Sequence, residues 1–181
     1  MSSSRADWTR RGLVAALAAL PACGFRPVYG PGGPAAGLTG EIIVDEPVDE
    51  AGYALFTRLV DRLGQPASPR YRLAADVRIS TRNLGRTNDN AVARRQLVGT
   101  VTYSLIDLET ESVLRRHTLA SFTGYSSPLI DDDITPEPGE PYVGSYYSVS
   151  EARRDAGERL MTILADKIVA DLLATSPAWR T

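Results

Sequence analysis

From Arg70 to Arg82 the chain alternates with period two. Tyr71, Leu73, Ala75, Val77 and Ile79 fall on one side, and Arg72, Asp76, Arg78, Ser80 and Arg82 on the other. Successive side chains of a strand point to opposite faces, so such a stretch needs one buried face and one wet face. A sheet buried on both sides would read as an unbroken apolar run instead. The chain must therefore supply apolar cover for one face only, and two stretches do so. Leu55, Phe56, Leu59, Val60 and Leu63 recur at helical spacing behind Asp49 and Glu50, either of which can open a helix; Gly64 and Pro66 end it. Leu160, Met161, Leu164, Ile168 and Leu172 form a second stripe. Ser148 and Glu151 before it match a capping box, which predicts a helix from Ser148 to about Ala174, with Pro177 beyond its end.

The remaining strands follow the same logic. Glu41 to Asp45 is short and rich in β-branched residues, and Pro47 stops it. Asn83 to Asn90 reads as a turn or hairpin tip. Gln96 to Leu108 alternates again, Glu109 to Ser112 is a short connection, and Val113 to Tyr125 is a further strand. Ser126 to Tyr147, with its Pro and Gly residues and three consecutive Asp, reads as a long irregular loop. The order β-α-β-β-β-α predicts an α+β two-layer sandwich, with a four-stranded, mostly antiparallel sheet and both helices on one face.

The amino-terminal stretch reads as an address. Arg5, Arg10 and Arg11 precede the apolar run from Leu13 to Leu20, whose 8 residues fall far short of the roughly 20 that span a bilayer as a helix. The run fits the apolar region of a secretory signal. The single cysteine of the chain follows directly, in Leu20-Pro21-Ala22-Cys23, which resembles a bacterial lipobox. That resemblance implies cleavage after Ala22 and acylation of Cys23. Two or more acyl chains anchor a protein firmly without any transmembrane helix. The expected organisation is a signal peptide at 1–22, a Gly/Pro-rich tether at 23–39 and one α+β domain at 40–181.

The segment Cys23-Gly-Phe-Arg-Pro-Val-Tyr-Gly30 resembles the start of the mature outer-membrane lipopolysaccharide-assembly lipoproteins, the LptE-like family, in their alphaproteobacterial form. Size, element order and a Ser/Tyr-rich stretch before a final long helix (Tyr142 to Glu151) agree with that resemblance. It implies a lipid-anchored protein on the periplasmic side of the outer membrane. It also implies a partner, a large β-barrel translocon whose lumen the protein plugs and whose assembly it assists, and contact with lipopolysaccharide. It implies no enzymatic activity. The other reading is a generic periplasm-facing lipoprotein that binds or modulates another envelope protein.

Charge adds a candidate site. The whole chain is nearly balanced, with 20 basic and 22 acidic side chains, which argues against a nucleic-acid partner. Yet nine arginines face only five carboxylates between residues 70 and 116, while both flanking regions are acidic. Arg72, Arg78 and Arg82 share the wet side of one strand, Arg94 and Arg95 open the next, and Arg115 and Arg116 sit early in the third. A guanidinium stays charged and donates two parallel hydrogen bonds to a phosphate, so these seven are candidate contacts for lipopolysaccharide. The plainer alternative is that a wet strand face simply carries charge. Tyr125, Tyr142, Tyr146 and Tyr147 suit an interface or burial against the domain's own core equally well. His117 is the only histidine and has no nucleophile–base set around it, so no catalytic residue is expected. With one cysteine and one histidine, no zinc cluster is expected, and the Asp131-Asp132-Asp133 run matches no calcium-loop spacing. No cofactor is expected.

Overall fold

The computed structural model describes Gly33, Leu38, 40–86, 92–126 and 143–180, and of these the side chains of 85–86, 92–93 and 143–147 are not described. Within the described residues six elements follow one another: β1 (Ile42–Val44), α1 (Glu50–Leu63), β2 (Tyr71–Arg86), β3 (Val92–Asp107), β4 (Val113–Ser126) and α2 (Val143–Trp179). The strands lie in the order β1-β2-β3-β4, with β1 parallel to β2 and the other pairs antiparallel. The expected α+β order and mostly antiparallel four-stranded sheet are therefore present.

Local chemistry explains the shorter elements. The Asp49 carboxylate accepts the Gly52 N–H at 2.6 Å and caps α1. Gly64 ends the helix at φ +78°, a left-handed conformation that needs glycine, and its N–H bonds the Val60 carbonyl at 2.8 Å. Leu55, Leu59 and Leu63 are the buried stripe. At the β3–β4 connection the Asp107 carboxylate accepts the N–H groups of Glu109 and Thr110 at 2.9 and 3.0 Å. Those bonds, the one from Thr110 first, hold its pKa below the ordinary value.

One core fills the space between the sheet and the helices. It joins Ile42, Tyr71, Leu73, Leu97, Val101, Tyr103 and Leu105 of the sheet to the α1 leucines and to Leu160, Met161, Leu164, Ile168 and Leu172 of α2. α1 packs on β1 and β2, α2 on β3 and β4, and the helices pack on each other. Gly99 marks the closest approach of helix to sheet. A Cβ there would sit 2.9 Å from Leu160 Cδ2 and 3.0 Å from Leu164 Cδ1.

Three boundaries differ from expectation. β2 runs to Arg86 and β3 begins at Val92, so the ladder extends into the expected turn, through an irregularity between Asn83 and Arg86. The second helix begins at Val143, which places Ser148 and Glu151 inside it rather than at a capping box. Val149 and Ala152 pack against the core there, and that burial outweighs the capping preference of a serine. The same helix continues through Pro177 to Trp179. Residue 177 has no N–H for the Leu173 carbonyl, and the Ser176 hydroxyl donates to that carbonyl instead, at 3.0 Å. Trp179 is 7% exposed and packs edge-on against Tyr71, with ring centroids 5.3 Å apart. Tertiary contact thus holds the last turn where the sequence signal reads stop.

Candidate functional site: the uncovered face of the sheet

Alternation and register decide which side chains share a face. Tyr71, Leu73, Ala75 and Val77 point to the helices, together with Leu105, Tyr103, Val101 and Leu97 opposite or beside them on β3. Arg72, Arg78 and Arg82 therefore point the other way, and all three are exposed. Arg116 joins them from β4, opposite Ser104, and Arg94 joins them at the far end of β3, opposite Ser126. Among the described residues no helix covers this face.

Its surface is low and hydroxyl-rich between the arginines. Arg78 lies opposite Thr100, Arg82 opposite Gln96, and Asp76 opposite Thr102. Thr102 and Thr118 share a hydrogen bond of 3.0 Å across β3 and β4, and Arg116 Nε donates to Ser104 Oγ at 3.0 Å. Asp76 lies among these residues and reaches Arg78 Nε at 3.4 Å. Both side chains of that pair are largely solvated, at 86% and 69% exposure, so the pair is weak and leaves the guanidinium available. Phe122, 64% exposed opposite Val98, adds apolar area to the same face. Arginines, hydroxyls and an exposed aromatic on an open sheet can bind a ligand that is anionic in one part and apolar in another.

Two of the seven candidate arginines lie elsewhere. Arg95 opposes Asn83 and Tyr125 on the helix side, is half-buried, and its Nε finds no partner among the described residues. Arg115 opposes Leu105 and turns toward α2. Its Nε and Nη2 donate to the two oxygens of Asp171 at 2.8 Å each, and its Nε also donates to Tyr103 Oη at 2.9 Å. Tyr103 Oη donates to the same carboxylate, and His117 Nδ1 lies 3.2 Å from it. Burial pushes the Asp171 carboxyl up, but the hydrogen bonds from Arg115, Tyr103 and His117 outweigh it and bring the pKa down to about 2. Burial, then the bond to Asp171, pushes the Tyr103 phenol well above its ordinary value. The Arg115 guanidinium, raised chiefly by its bond to Asp171, stays charged. The cluster ties β3, β4 and α2 together, and Arg115 belongs to it rather than to the open face.

His117 thus has a structural setting beside Asp171. Tyr125 is 6% exposed, so of its two readings burial in the core is the one realised. Cys23, Asp131 to Asp133 and Tyr142 lie outside the described residues, as do the side chains of Tyr146 and Tyr147. No group of metal-ligating side chains comes together among the described residues. Nor is any described helix long and apolar enough to cross a membrane, which says nothing of β-barrels. Sequence reasoning missed Asp171 and Tyr103. The available signal was one carboxylate set among Ile168, Val169 and Leu172, on the apolar side of a helix.

Residues 39–172 match the family model described as LptE, lipopolysaccharide-assembly. The fold is similar to that of a solved putative lipoprotein from Caulobacter crescentus, with a TM-score of 0.60 and 22% identity, covering 82% of this chain and 98% of that one. Rare lipoprotein B from Shewanella oneidensis matches at a TM-score of 0.48 and 12% identity, over 75% and 93% of the two chains. A minor lipoprotein from Acinetobacter baumannii matches at 0.48 and 14%, over 74% and 89%. No curated protein sequence matches this chain.

Proposed function

This chain belongs to the lipopolysaccharide-assembly (LptE) family, and from that premise we propose that it is a lipid-anchored, non-enzymatic component of the outer membrane. Cys23 carries the acyl chains, and the domain stands on the periplasmic side. It associates with a β-barrel lipopolysaccharide translocon, plugs its lumen, and assists barrel assembly and the insertion of lipopolysaccharide at the cell surface.

The observation that carries this reading is the uncovered arginine face. Arg72, Arg78, Arg82, Arg94 and Arg116 stand on one side of the sheet with little opposing charge, next to exposed Phe122. Phosphates of a lipid headgroup suit the guanidinium forks, and apolar chains suit the aromatic. Arg115 is not among the contacts, because Asp171 holds it.

A pull-down from detergent-solubilised outer membrane with a carboxy-terminal tag tests the partner. The expected result is one large barrel at near one-to-one stoichiometry. Recovery with periplasmic proteins alone would favour a lipoprotein that modulates another envelope protein. Arg78→Glu, Arg82→Glu and Arg116→Glu combined should weaken binding of purified lipopolysaccharide at least about tenfold. Unchanged binding by a folded triple variant would remove the arginine face from the reading.

A further inference from the structure

β1 pairs with β2 only from Tyr71 to Leu73. The Leu73 carbonyl accepts the Asp45 N–H at 3.0 Å, and Pro47 follows as the chain turns into α1. Tyr71 and Leu73 aim their backbone groups at β1, and by the same alternation Ala75, Val77, Ile79 and Thr81 aim theirs to that side. Among the described residues no strand lies beside them. The ladder with β3 is regular as far as Asn83 and shifts register between Asn83 and Arg86. The free, regular stretch of edge is therefore Ala75 to Asn83, and its midpoint is Ile79. On the helix side of that stretch Ala75 and Thr81 are exposed, Val77 is half-buried and Ile79 is 40% exposed.

Charge narrows what can lie along this edge. Asp76, Arg78, Ser80 and Arg82 stand on the open face there. A strand laid beside them fits if it sets a cation opposite Asp76, a carboxylate opposite Arg82 and no cation opposite Arg78. β2 of a second copy, run antiparallel about Ile79, meets all three conditions. Asp76 then faces Arg82 of the second copy, Arg82 faces its Asp76, and Arg78 faces its Ser80. These are the pairs without backbone hydrogen bonds, whose side chains approach most closely. The two Arg78 lie diagonally across the axis, each with its own Asp76 within 3.4 Å. On the helix side Ile79 meets Ile79 and Val77 meets Thr81, and these pairs exchange the backbone hydrogen bonds.

Neighbouring registers fail. An axis at Arg78 sets the two Arg78 opposite each other, and one at Ser80 sets Arg78 opposite Arg82. An axis at Val77 drives Thr81 of the second copy against Leu73, where β1 stands. With the axis at Ile79 the second copy reaches Ala75 at its Asn83, and its strand loses regularity just before β1 would block it. The other outer edge is less open, because Lys167 Nζ already donates to the Ala120 carbonyl of β4 at 2.7 Å.

We propose that the chain forms a two-fold symmetric dimer through β2, with Ile79 on the axis and Asp76 of each copy against Arg82 of the other, so that the two sheets become one. A contact of this kind closes on itself and gives a dimer rather than a filament. The proposal goes beyond the barrel-and-lipopolysaccharide reading and stands without it.

The test is sedimentation equilibrium of the purified full chain, which should show a weak, reversible dimer. Asp76→Arg alone sets arginine opposite arginine, and Arg82→Asp alone sets carboxylate opposite carboxylate; each should weaken association by about tenfold or more. An equimolar mixture of the two variants restores both opposite-charge pairs, and its mixed dimer should recover the original affinity. Ile79→Pro removes an edge N–H that does not pair with β3 and should abolish the dimer. Circular dichroism checks the fold of each variant. A chain that stays monomeric, single variants that associate undiminished, or a mixture no tighter than its components overturns the proposal. So does growth into ever larger assemblies, which head-to-tail pairing of β2 with β4 would produce.

Discussion

Arg115 points toward the helices and Arg116 away from them, although one peptide bond separates the two. Arg115 meets a carboxylate, a phenol and the sole histidine, and becomes part of the scaffold. Arg116 meets the Ser104 hydroxyl on an uncovered surface. On the helix side Arg115 and Asp171 are each held by the other, because an unpaired charge there is costly. On the open side solvent can serve an exposed polar group, so residue choice there is freer to serve binding.

The largest test of this contrast is the paired truncation of the two arginines. Arg115→Ala should cost about 3 kcal/mol of unfolding free energy by leaving Asp171 without its main partner, whereas Arg116→Ala should cost about 0.5 kcal/mol or less. Urea titration of both variants reads the difference, and equal losses would break the comparison. The next test moves one residue along β3. Gly99→Val drives a side chain into Leu160 and Leu164 and should cost about 2 kcal/mol, while Thr100→Val on the open face should stay within about 0.5 kcal/mol.

Acid separates the faces as well. The folded-state pKa of Asp171 is depressed to about 2, whereas an unfolded aspartate titrates near about 3.9. The unfolded chain therefore binds more protons between these values, and stability rises with pH across that window. The stabilisation is fully present above about pH 4 and is lost as pH falls toward 2, by about 2 kcal/mol at most. Asp171→Asn should be less stable at neutral pH and should show a flatter acid limb in denaturant midpoints. The smallest expected effects compare two hydroxyls. Ser176→Ala deprives the Leu173 carbonyl of its donor and should cost about 1 kcal/mol, while Thr118→Ala removes an exposed hydrogen bond and should cost a few tenths. Thermal midpoints resolve the pair.

Much of this was legible because it rests on short-range patterns. The period-two run from Tyr71 gave the sheet its buried and wet sides, and Asp49 and Gly64 closed α1 at the residues expected. The α2 boundaries were not legible. Ser148 and Pro177 send clear local signals, yet packing of Val149 at one end and Trp179 at the other overrides both. The arginine site was legible only in part, for a related reason. Arg72, Arg78 and Arg82 belong to one unbroken alternation. For Arg115, the register shift beside Leu105 and the position of Asp171, 56 residues away in sequence, were needed.

The sequence by itself determined the element types, their order, and the existence of one uncovered sheet face, since hydrophobic periodicity acts through neighbours only a few residues apart. It also carried the cysteine context at residue 23 and the excess of arginine in the middle strands. The tertiary structure alone decided which arginines are held by α2 and which stand on the opposite face of the sheet. Those outcomes depend on partners brought together from distant parts of the chain. Such contacts depend on strand register and helix placement, and no local pattern encodes either one.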